Sequence, residues 1–309
     1  MSITQFCLLS LSLVLQVLPV QAKVTSESPS QYGTITHSQQ GAVLSVLFDN
    51  NSTEINIYDN KIQSDLYDLV SQLQNDTTVK VLVFRSANPD FFLAHGELTA
   101  REGTPNFALD DPRNEVANAW RLFYNITELP MASIAVVNGR ARGAGNEFVM
   151  SCDMRFATKS SMFGQPEVGL GFNPGAGATQ YLPRLIGRGR ALEYLLTGLD
   201  VTGEEAEQLG WVNRAFGEAS EMEEFVGDLA RRIALFPNLA IANIKALVNT
   251  ATRPSLEDLA EEGRRYLGAA STEEAQGLIN KTLELTNDES RGWFELDVGE
   301  HLPKLYNST

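Results

Sequence analysis

The chain contains few cysteines and few histidines, which excludes several kinds of site. Cys7 and Cys152 are the only cysteines among 309 residues, and Cys7 lies in an apolar leader, so we expect no intramolecular disulfide and no cysteine-based metal site. The three histidines, His37, His95 and His301, are too far apart in sequence to suggest zinc ligands. We therefore expect no bound metal.

Positive charge is also scarce. The sequence has 24 Lys and Arg against 39 Asp and Glu, which gives a formal net charge of −15 and an isoelectric point near 4.7. Nucleic-acid binding requires clustered basic residues that neutralise phosphates, and no basic stripe is present. We expect no nucleic-acid partner.

Residues 1–22 contain no charged side chain, and an apolar run from Cys7 to Val20 is followed by the small-residue sequence Val20-Gln21-Ala22. This pattern is typical of a secretory signal peptide, although the segment before the run has no Lys or Arg. An uncleaved anchor is the alternative, but the run is short for a membrane span. We predict a secreted or secretory-lumen protein, and six N-x-S/T sequons weakly support this localisation.

Short apolar runs rich in β-branched residues alternate with segments of helical period. Residues 41–50, 79–87 and 131–139 are predicted strands, and helical patterns lie at 62–73 and 113–126. A further helix is predicted from Gly143 to Cys152, followed by a strand at 154–160. From about Glu221 only helical patterns remain, interrupted by Pro237 and Pro254. We predict an α/β core at 23–220 and a helical region at 221–309.

Several familiar catalytic and nucleotide-binding motifs are missing. Neither "GRARGAGNE" nor "NPGAGATQ" has the Lys-Ser/Thr ending of a P-loop or the G-x-G-x-x-G spacing of a dinucleotide-binding turn. No G-x-S-x-G nucleophile elbow occurs, and no histidine lies near a suggestive Ser or Cys. Phosphate binding by these loops and Ser-His-Asp hydrolysis therefore have little support.

Two glutamates stand in unusual surroundings. Glu147 follows "RGAGN" in the first turn of an apolar predicted helix, where free N–H groups and the helix dipole favour negative charge. Glu167 follows Pro166 and precedes a run of small residues. Most glutamates are ordinary surface residues. If these two converge, however, they could act on one water while backbone N–H groups hold a developing enolate oxygen.

The segments "SIAVVNGRARGAGNEFVMSCDMRFA" and "FGQPEVGLGFNPGAGATQYLPRLIGRGRALEYLLTG" resemble the crotonase family, the enoyl-CoA hydratases and isomerases. The resemblance extends at lower strength from about Gly41 to about Leu267. It implies the crotonase fold, a spiral of ββα units with a C-terminal helical part. It also implies assembly as a homotrimer or homohexamer.

The resemblance assigns catalytic acid/base roles to Glu147 and Glu167, and an oxyanion hole to the backbone N–H groups of Gly96 and Ala144. Gly96 lies in the segment "FFLAHGELTA". This segment departs from the family pattern, because His95 replaces a glycine and Glu97 replaces an aspartate. His95 could point into the site or cap the loop. The residues expected to bind substrate are Ala94, His95, Gly143, Gly171, Pro174 and Gly175.

The presence of both glutamates favours hydration of a 2-enoyl thioester, or the reverse dehydration, with coenzyme A as part of the substrate and no separate cofactor. The predicted signal peptide conflicts with a CoA substrate, which is chiefly intracellular, and the segment expected to contact CoA matches poorly. Four alternatives stay open: an isomerase, an acyl-CoA hydrolase, an enzyme acting on a non-CoA carbonyl compound, and a secreted binding protein without catalysis.

Overall fold

The computed structural model describes residues 32–99 and 105–306. The predicted signal peptide at 1–22, with Cys7, lies outside the described residues, as does the sequon at Asn307. The other cysteine, Cys152, is buried. Secretion stays a prediction.

The strands of the described residues form two sheets. They are β1 (Ile35–Gln40), β2 (Val43–Phe48), β3 (Val81–Ser86), β4 (Phe91–Leu93), β5 (Ala132–Val137), β6 (Arg140–Arg142), β7 (Met154–Thr158), β8 (Met162–Gly164), β9 (Val201–Thr202) and β10 (Arg214–Phe216). The larger sheet has the order β1-β2-β3-β5-β7-β10, and the smaller one β4-β6-β8-β9. Within the larger sheet only β1 and β2 are antiparallel.

Helices connect the parallel strands and cover the sheets. They are α1 (Asn60–Leu73), α2 (Glu115–Glu128), α3 (Ala144–Ser151), α4 (Ala178–Ile186), α5 (Arg188–Thr197), α6 (Gly203–Leu209), α7 (Ala219–Ala234), α8 (Asn238–Thr252), α9 (Leu256–Ala270), α10 (Glu273–Thr286), α11 (Trp293–Leu296) and α12 (Val298–His301). Two 3₁₀ helices lie at Pro166–Leu170 and Leu302–Leu305.

The central strand β5 shows why this sequence forms a parallel sheet. All six of its residues are buried, as expected where helices cover both faces, whereas β2 alternates between buried and partly buried positions. On one side of the larger sheet, Phe48, Phe84 and Phe148 pack edge to face or stacked, with ring centroids 4.9–5.9 Å apart. This packing fixes α3 against the sheet.

The predicted α/β organisation and the helical C-terminal part are confirmed. The helix predicted from Gly143 to Cys152 is α3, which those two residues cap. In the C-terminal part, α7 begins at Ala219, two residues before the predicted boundary, and Pro237 caps α8. No single helix in the described ranges is long and apolar enough to cross a membrane; α7 and α8 meet the length and composition criteria only as a pair bent by 110°.

Candidate active site

The smaller sheet brings three distant segments to one edge. Strands β4, β6 and β8 are parallel, so their carboxyl ends lie together. The residues that follow these ends are Gly96, Ala144 and Glu167, which are the predicted oxyanion-hole residues and the second predicted acid/base. Backbone hydrogen bonds from Arg142 N to Ala94 O (3.1 Å) and from Gly143 N to Gly164 O (3.1 Å) hold the three strand ends in register.

Gly96 and Ala144 are neighbours in space although 48 residues separate them in the chain. A Cβ atom built on Gly96 would lie 3.6 Å from the Cβ atom of Ala144. Within residues 32–99 and 105–306, neither backbone N–H donates a hydrogen bond to a protein atom. Ala144 is the first residue of α3, so its N–H is one of the donors that a helix start leaves unpaired. Both N–H groups are available to a ligand oxygen.

Glycine is required on both sides of Ala144. Gly143 has φ of +46°, and a Cβ atom on it would lie 2.8 Å from Glu167 Oε1. A Cβ atom on Gly145 would lie 2.2 Å from the carbonyl oxygen of Leu93, the last residue of β4. These two glycines let α3 approach β4 and let the Glu167 carboxyl group lie against the turn.

The carboxyl group of Glu147 is buried and held from another loop. Its side chain is 2% exposed, and Oε1 accepts hydrogen bonds from the N–H groups of Ala176 (2.8 Å) and Ala178 (2.9 Å), where α4 starts. The stabilising N–H groups therefore belong to the start of α4 and not, as the sequence predicted, to the helix of Glu147 itself. Burial raises the pKa of Glu147 to about 7, against the lowering effect of these hydrogen bonds.

Glu167 lies in the 3₁₀ helix after β8 and is 7% exposed. Its Oε2 atom is buried and has no hydrogen-bond partner among the described residues. Burial raises the pKa of Glu167 well above its usual value, and the nearby charge of Glu147 raises it further. Glu167 therefore keeps its proton to a higher pH than an exposed glutamate does, and near pH 7 Glu147 divides between its two forms.

A third buried glutamate, Glu262 of α9, shares the loop that holds Glu147. Its carboxyl group accepts hydrogen bonds from Gly177 N (3.1 Å), Thr179 N (3.3 Å) and Thr179 Oγ1 (2.6 Å). Successive N–H groups of the loop therefore point alternately to Glu147 and to Glu262. Burial, followed by the charge of Glu147, raises the pKa of Glu262 to about 8. The small residues of "NPGAGATQ" thus form a loop whose N–H groups donate hydrogen bonds to both glutamates.

These groups line a common cavity that is partly open to solvent. Gly96, Ala144, Glu147 and Glu167 all line it. The C-terminal segment closes one side, where Phe294, Val298 and Leu302 contribute apolar surface. Arg142, which is 1% exposed, donates to the carbonyl oxygens of Glu295 and Leu296, so β6 holds this segment in place.

His95 connects the oxyanion-hole loop to the same C-terminal segment. Its Nδ1 atom lies 2.7 Å from the Gly96 carbonyl oxygen, and its Nε2 atom lies 3.2 Å from Glu295 Oε2. Burial lowers the pKa of His95, but the charges of Glu295 and Glu289 and the two hydrogen bonds outweigh it and raise the pKa to about 9. His95 both lines the cavity and braces the loop, so the two predicted roles are not exclusive.

We expect protonated His95 to stabilise the folded protein and this stabilisation to decrease as the pH rises above neutrality. The folded protein retains the histidine proton beyond the ordinary pKa of 6.5, so this stabilisation is complete below about pH 6.5 and lost as the pH rises through about 9. Thermal melts of His95→Gln and the parent should therefore differ at pH 6, by about 3 kcal/mol at most, and converge above pH 9. The exposed His37→Gln is the control; a His95 difference that does not change with pH would contradict this role.

The structure places the predicted substrate-binding residues in different environments. His95 and Gly175 line the cavity, and Gly175 packs against the ring of Tyr266. Ala94 is buried beneath the loop, and Gly143 lies behind the Glu167 carboxyl group. Gly171 and Pro174 line a neighbouring surface groove.

Sequence reasoning missed Glu115, Glu262 and the C-terminal segment around Glu295. Glu262 lies between the buried Leu259 and Gly263 of α9, so helical periodicity could have placed it on an inward face. Glu115 follows Asn114, which caps α2, and a capping position gives no sign that the next residue faces a cavity. Nothing in the local sequence indicates that residues 293–302 fold across the strand ends.

Comparison with known proteins identifies relatives of the whole core. A family model described as enoyl-CoA hydratase/isomerase matches residues 38–281. The crystal structure of a protein assigned as an enoyl-CoA hydratase from Streptomyces avermitilis superposes with a TM-score of 0.80 at 36% identity, covering 89% of this chain and 98% of that one.

Two curated relatives add reaction names. A crotonyl-CoA hydratase from Syntrophomonas wolfei is 32% identical over 214 residues, which is 69% of this chain and 81% of the relative. A 2,3-dehydroadipyl-CoA hydratase from Escherichia coli is 30% identical over 260 residues, or 84% of this chain and 98% of the relative.

Proposed function

Because the chain belongs to the enoyl-CoA hydratase/isomerase family, the crotonase family, whose members act on acyl-CoA thioesters, we propose that it adds water to a 2-enoyl thioester. One observation carries the proposal: the free N–H groups of Gly96 and Ala144 lie beside the buried carboxyl groups of Glu147 and Glu167. An oxyanion hole beside an acid and a base is the arrangement that addition next to a carbonyl requires.

In the proposed mechanism the thioester oxygen accepts hydrogen bonds from Gly96 N and Ala144 N. Addition at C3 moves electrons onto this oxygen, and donors already in place stabilise the enolate by about 3 kcal/mol each. The cavity wall of Phe294, Val298 and Leu302 excludes bulk water from the reacting bond.

The unequal environments of the two glutamates assign their roles. Glu147 receives two N–H hydrogen bonds on Oε1 and ionises near neutral pH, so it takes a proton from water as the water oxygen bonds to C3. The raised pKa of Glu167 favours its protonated form, and its Oε2 atom, which has no hydrogen-bond partner among the described residues, can give a proton to C2. One water is consumed, the thioester stays intact, and proton exchange with solvent restores both groups.

The direct test is the absorbance of the conjugated enoyl thioester in crotonyl-CoA on addition of the purified protein. Loss of absorbance with the thioester retained supports hydration. Release of a free thiol would instead identify a hydrolase, and a shifted double bond without added oxygen an isomerase. An unchanged substrate across a panel of 2-enoyl-CoA chain lengths would contradict the proposal.

The pH dependence should report the two glutamates. We expect kcat/KM to rise with pH through about 7, because Glu147 must lose a proton to act as base and its pKa is raised to that value. It should fall at higher pH as Glu167 ionises, because burial and the charge of Glu147 raise the pKa of Glu167 well above its usual value. In Glu147→Asp, the pH at which kcat/KM rises should differ from that of the parent. A parent whose kcat/KM does not change with pH across this range would contradict the assignment.

We also propose that the chain assembles as a homotrimer or as a dimer of trimers. Apolar side chains of α8 and the turn before it face solvent in the isolated chain: Leu235 is 80% exposed, Leu239 72% and Leu247 73%. A row of such residues on one helix marks a surface that another subunit would cover. Light scattering should give three or six times the chain mass, and Leu239→Lys/Leu247→Lys should dissociate it. A monomeric parent protein would contradict this proposal.

A further inference from the structure

Glu115 is a buried carboxyl group of the cavity that the proposed hydration does not use. It is the first residue of α2, is 6% exposed, and lines the cavity. Its Oε2 atom lies 3.8 Å from the position of a Cβ atom built on Gly96. Glu115 therefore adjoins the Gly96 side of the oxyanion hole, whereas Glu167 lies against Gly143, next to Ala144.

The backbone and the side chain of Glu115 are held differently. The backbone is well anchored, since Glu115 N donates to Asn60 Oδ1 (2.7 Å) and Asn114 caps the helix. Within the described ranges, however, neither carboxyl oxygen makes a hydrogen bond. Burial raises the pKa of Glu115 well above its usual value, and the charges of Glu97, Asp59 and Glu289 raise it further. Glu115 therefore keeps its proton to a higher pH than an exposed glutamate does, and the protonated carboxyl group can both donate and accept.

The surroundings of Glu115 restrict what it can bind. Val116 and Ala119 of the same helix, with Leu98, Phe172 and Tyr266, give the cavity an apolar wall suited to an aliphatic chain. No Lys or Arg is among the described residues that line it, whereas five glutamates are: Glu97, Glu115, Glu147, Glu167 and Glu295. His95, which also lines the cavity, is paired with Glu295, so a carboxylate on the acyl chain would have no free cation to pair with, whereas an uncharged hydroxyl group would satisfy the buried carboxyl group.

We propose that Glu115 determines substrate specificity by exchanging a hydrogen bond with a hydroxyl group at C4 or further along the acyl chain of the 2-enoyl thioester. C2 and C3 lie between Glu147 and Glu167 in the proposed mechanism, and the apolar wall of Val116 and Ala119 beside Glu115 suits the rest of the acyl chain. This inference rests on the proposed function. A site that pairs a buried polar group with a substrate hydroxyl discriminates against the analogue without it, which leaves that group unpaired.

The test compares kcat/KM for three 2-enoyl-CoA thioesters of equal chain length: one unsubstituted, one carrying a hydroxyl at C4, C5 or C6, and one ending in a carboxylate. The parent should prefer the best hydroxylated substrate over the unsubstituted one by about tenfold or more, and should turn over the carboxylated one least. Glu115→Gln should keep the preference, and Glu115→Leu should reverse it. Glu128→Leu, at the far end of the same helix and outside the cavity, should leave the ratio unchanged.

The ratio of two substrates on one protein sample does not depend on how much of a variant folds. Equal ratios in the parent and Glu115→Leu would overturn the inference while leaving hydration intact. A parent that favours the carboxylated substrate would overturn it as well. If no thioester reacts, the proposed function fails, but the inference about Glu115 can still be tested by calorimetry. The affinities of a saturated hydroxyacyl-CoA and of the matching acyl-CoA are then measured for the parent and for Glu115→Leu. An equal ratio of the two affinities in both proteins would overturn the inference.

Discussion

Replacing Glu167 by Gln is expected to lower kcat for enoyl thioester hydration by about 10²- to 10⁴-fold, and Glu147→Gln should do the same. Each change keeps the size of the side chain and removes the ability to exchange a proton. KM should change little, because the oxyanion hole and the apolar wall remain. Initial rates with crotonyl-CoA measure the effect.

The control for both variants is Glu204→Gln, a half-exposed partner of Lys159 on the surface, which should retain full activity. Removing both glutamates together should cost little more than removing one, since the two act as a unit. Turnover by either Gln variant within a few fold of the parent would contradict the assigned roles.

Gly145→Ala should disrupt both the fold and the oxyanion hole. The added Cβ atom would lie 2.2 Å from the Leu93 carbonyl oxygen and 2.8 Å from the Leu93 carbonyl carbon, which are backbone atoms that no side-chain rotation can move away. Strand β4 and helix α3 must then separate, and Gly96 and Ala144 separate with them. We expect the free energy of unfolding to fall by about 3 kcal/mol or more and activity by about 100-fold or more.

Gly277→Ala in α10 is the matched control. A Cβ atom there would meet no atom within 4 Å, and alanine favours a helix over glycine by up to about 1 kcal/mol, so this variant should be neutral or more stable. Denaturant melts and hydration rates on both variants give the comparison. A Gly145→Ala protein as stable and active as the parent would show that the close approach of α3 to β4 is not required.

The long elements of the fold could be predicted because their periodicity is local. The β5 segment is apolar except for Ser133, and the helices α7 to α9 show regular apolar spacing with prolines between them. Strands β4, β6 and β8 have three residues each, too few for a period to be recognised, and their pairing depends on contacts between distant segments. The sheet that positions the candidate site was therefore not predicted.

Of the candidate site, the glutamate pair and the glycine turn could be identified because they form compact motifs. The remaining groups could not, for a physical reason: their roles arise only when distant segments meet. His95 acquires its raised pKa from Glu295, 200 residues away, and Glu262 reaches the Glu147 loop from α9. A sequence shows each as one polar residue in an ordinary context.

The measurement that tests the central claim most directly follows the oxygen atom. Crotonyl-CoA is incubated with the protein in H₂¹⁸O, and the products are analysed by mass spectrometry with the thioester preserved. Hydration by Glu147 and Glu167 predicts one ¹⁸O atom on C3 of a 3-hydroxyacyl thioester. Label in a free carboxylic acid with release of thiol, or an isomerised product without label, would contradict it.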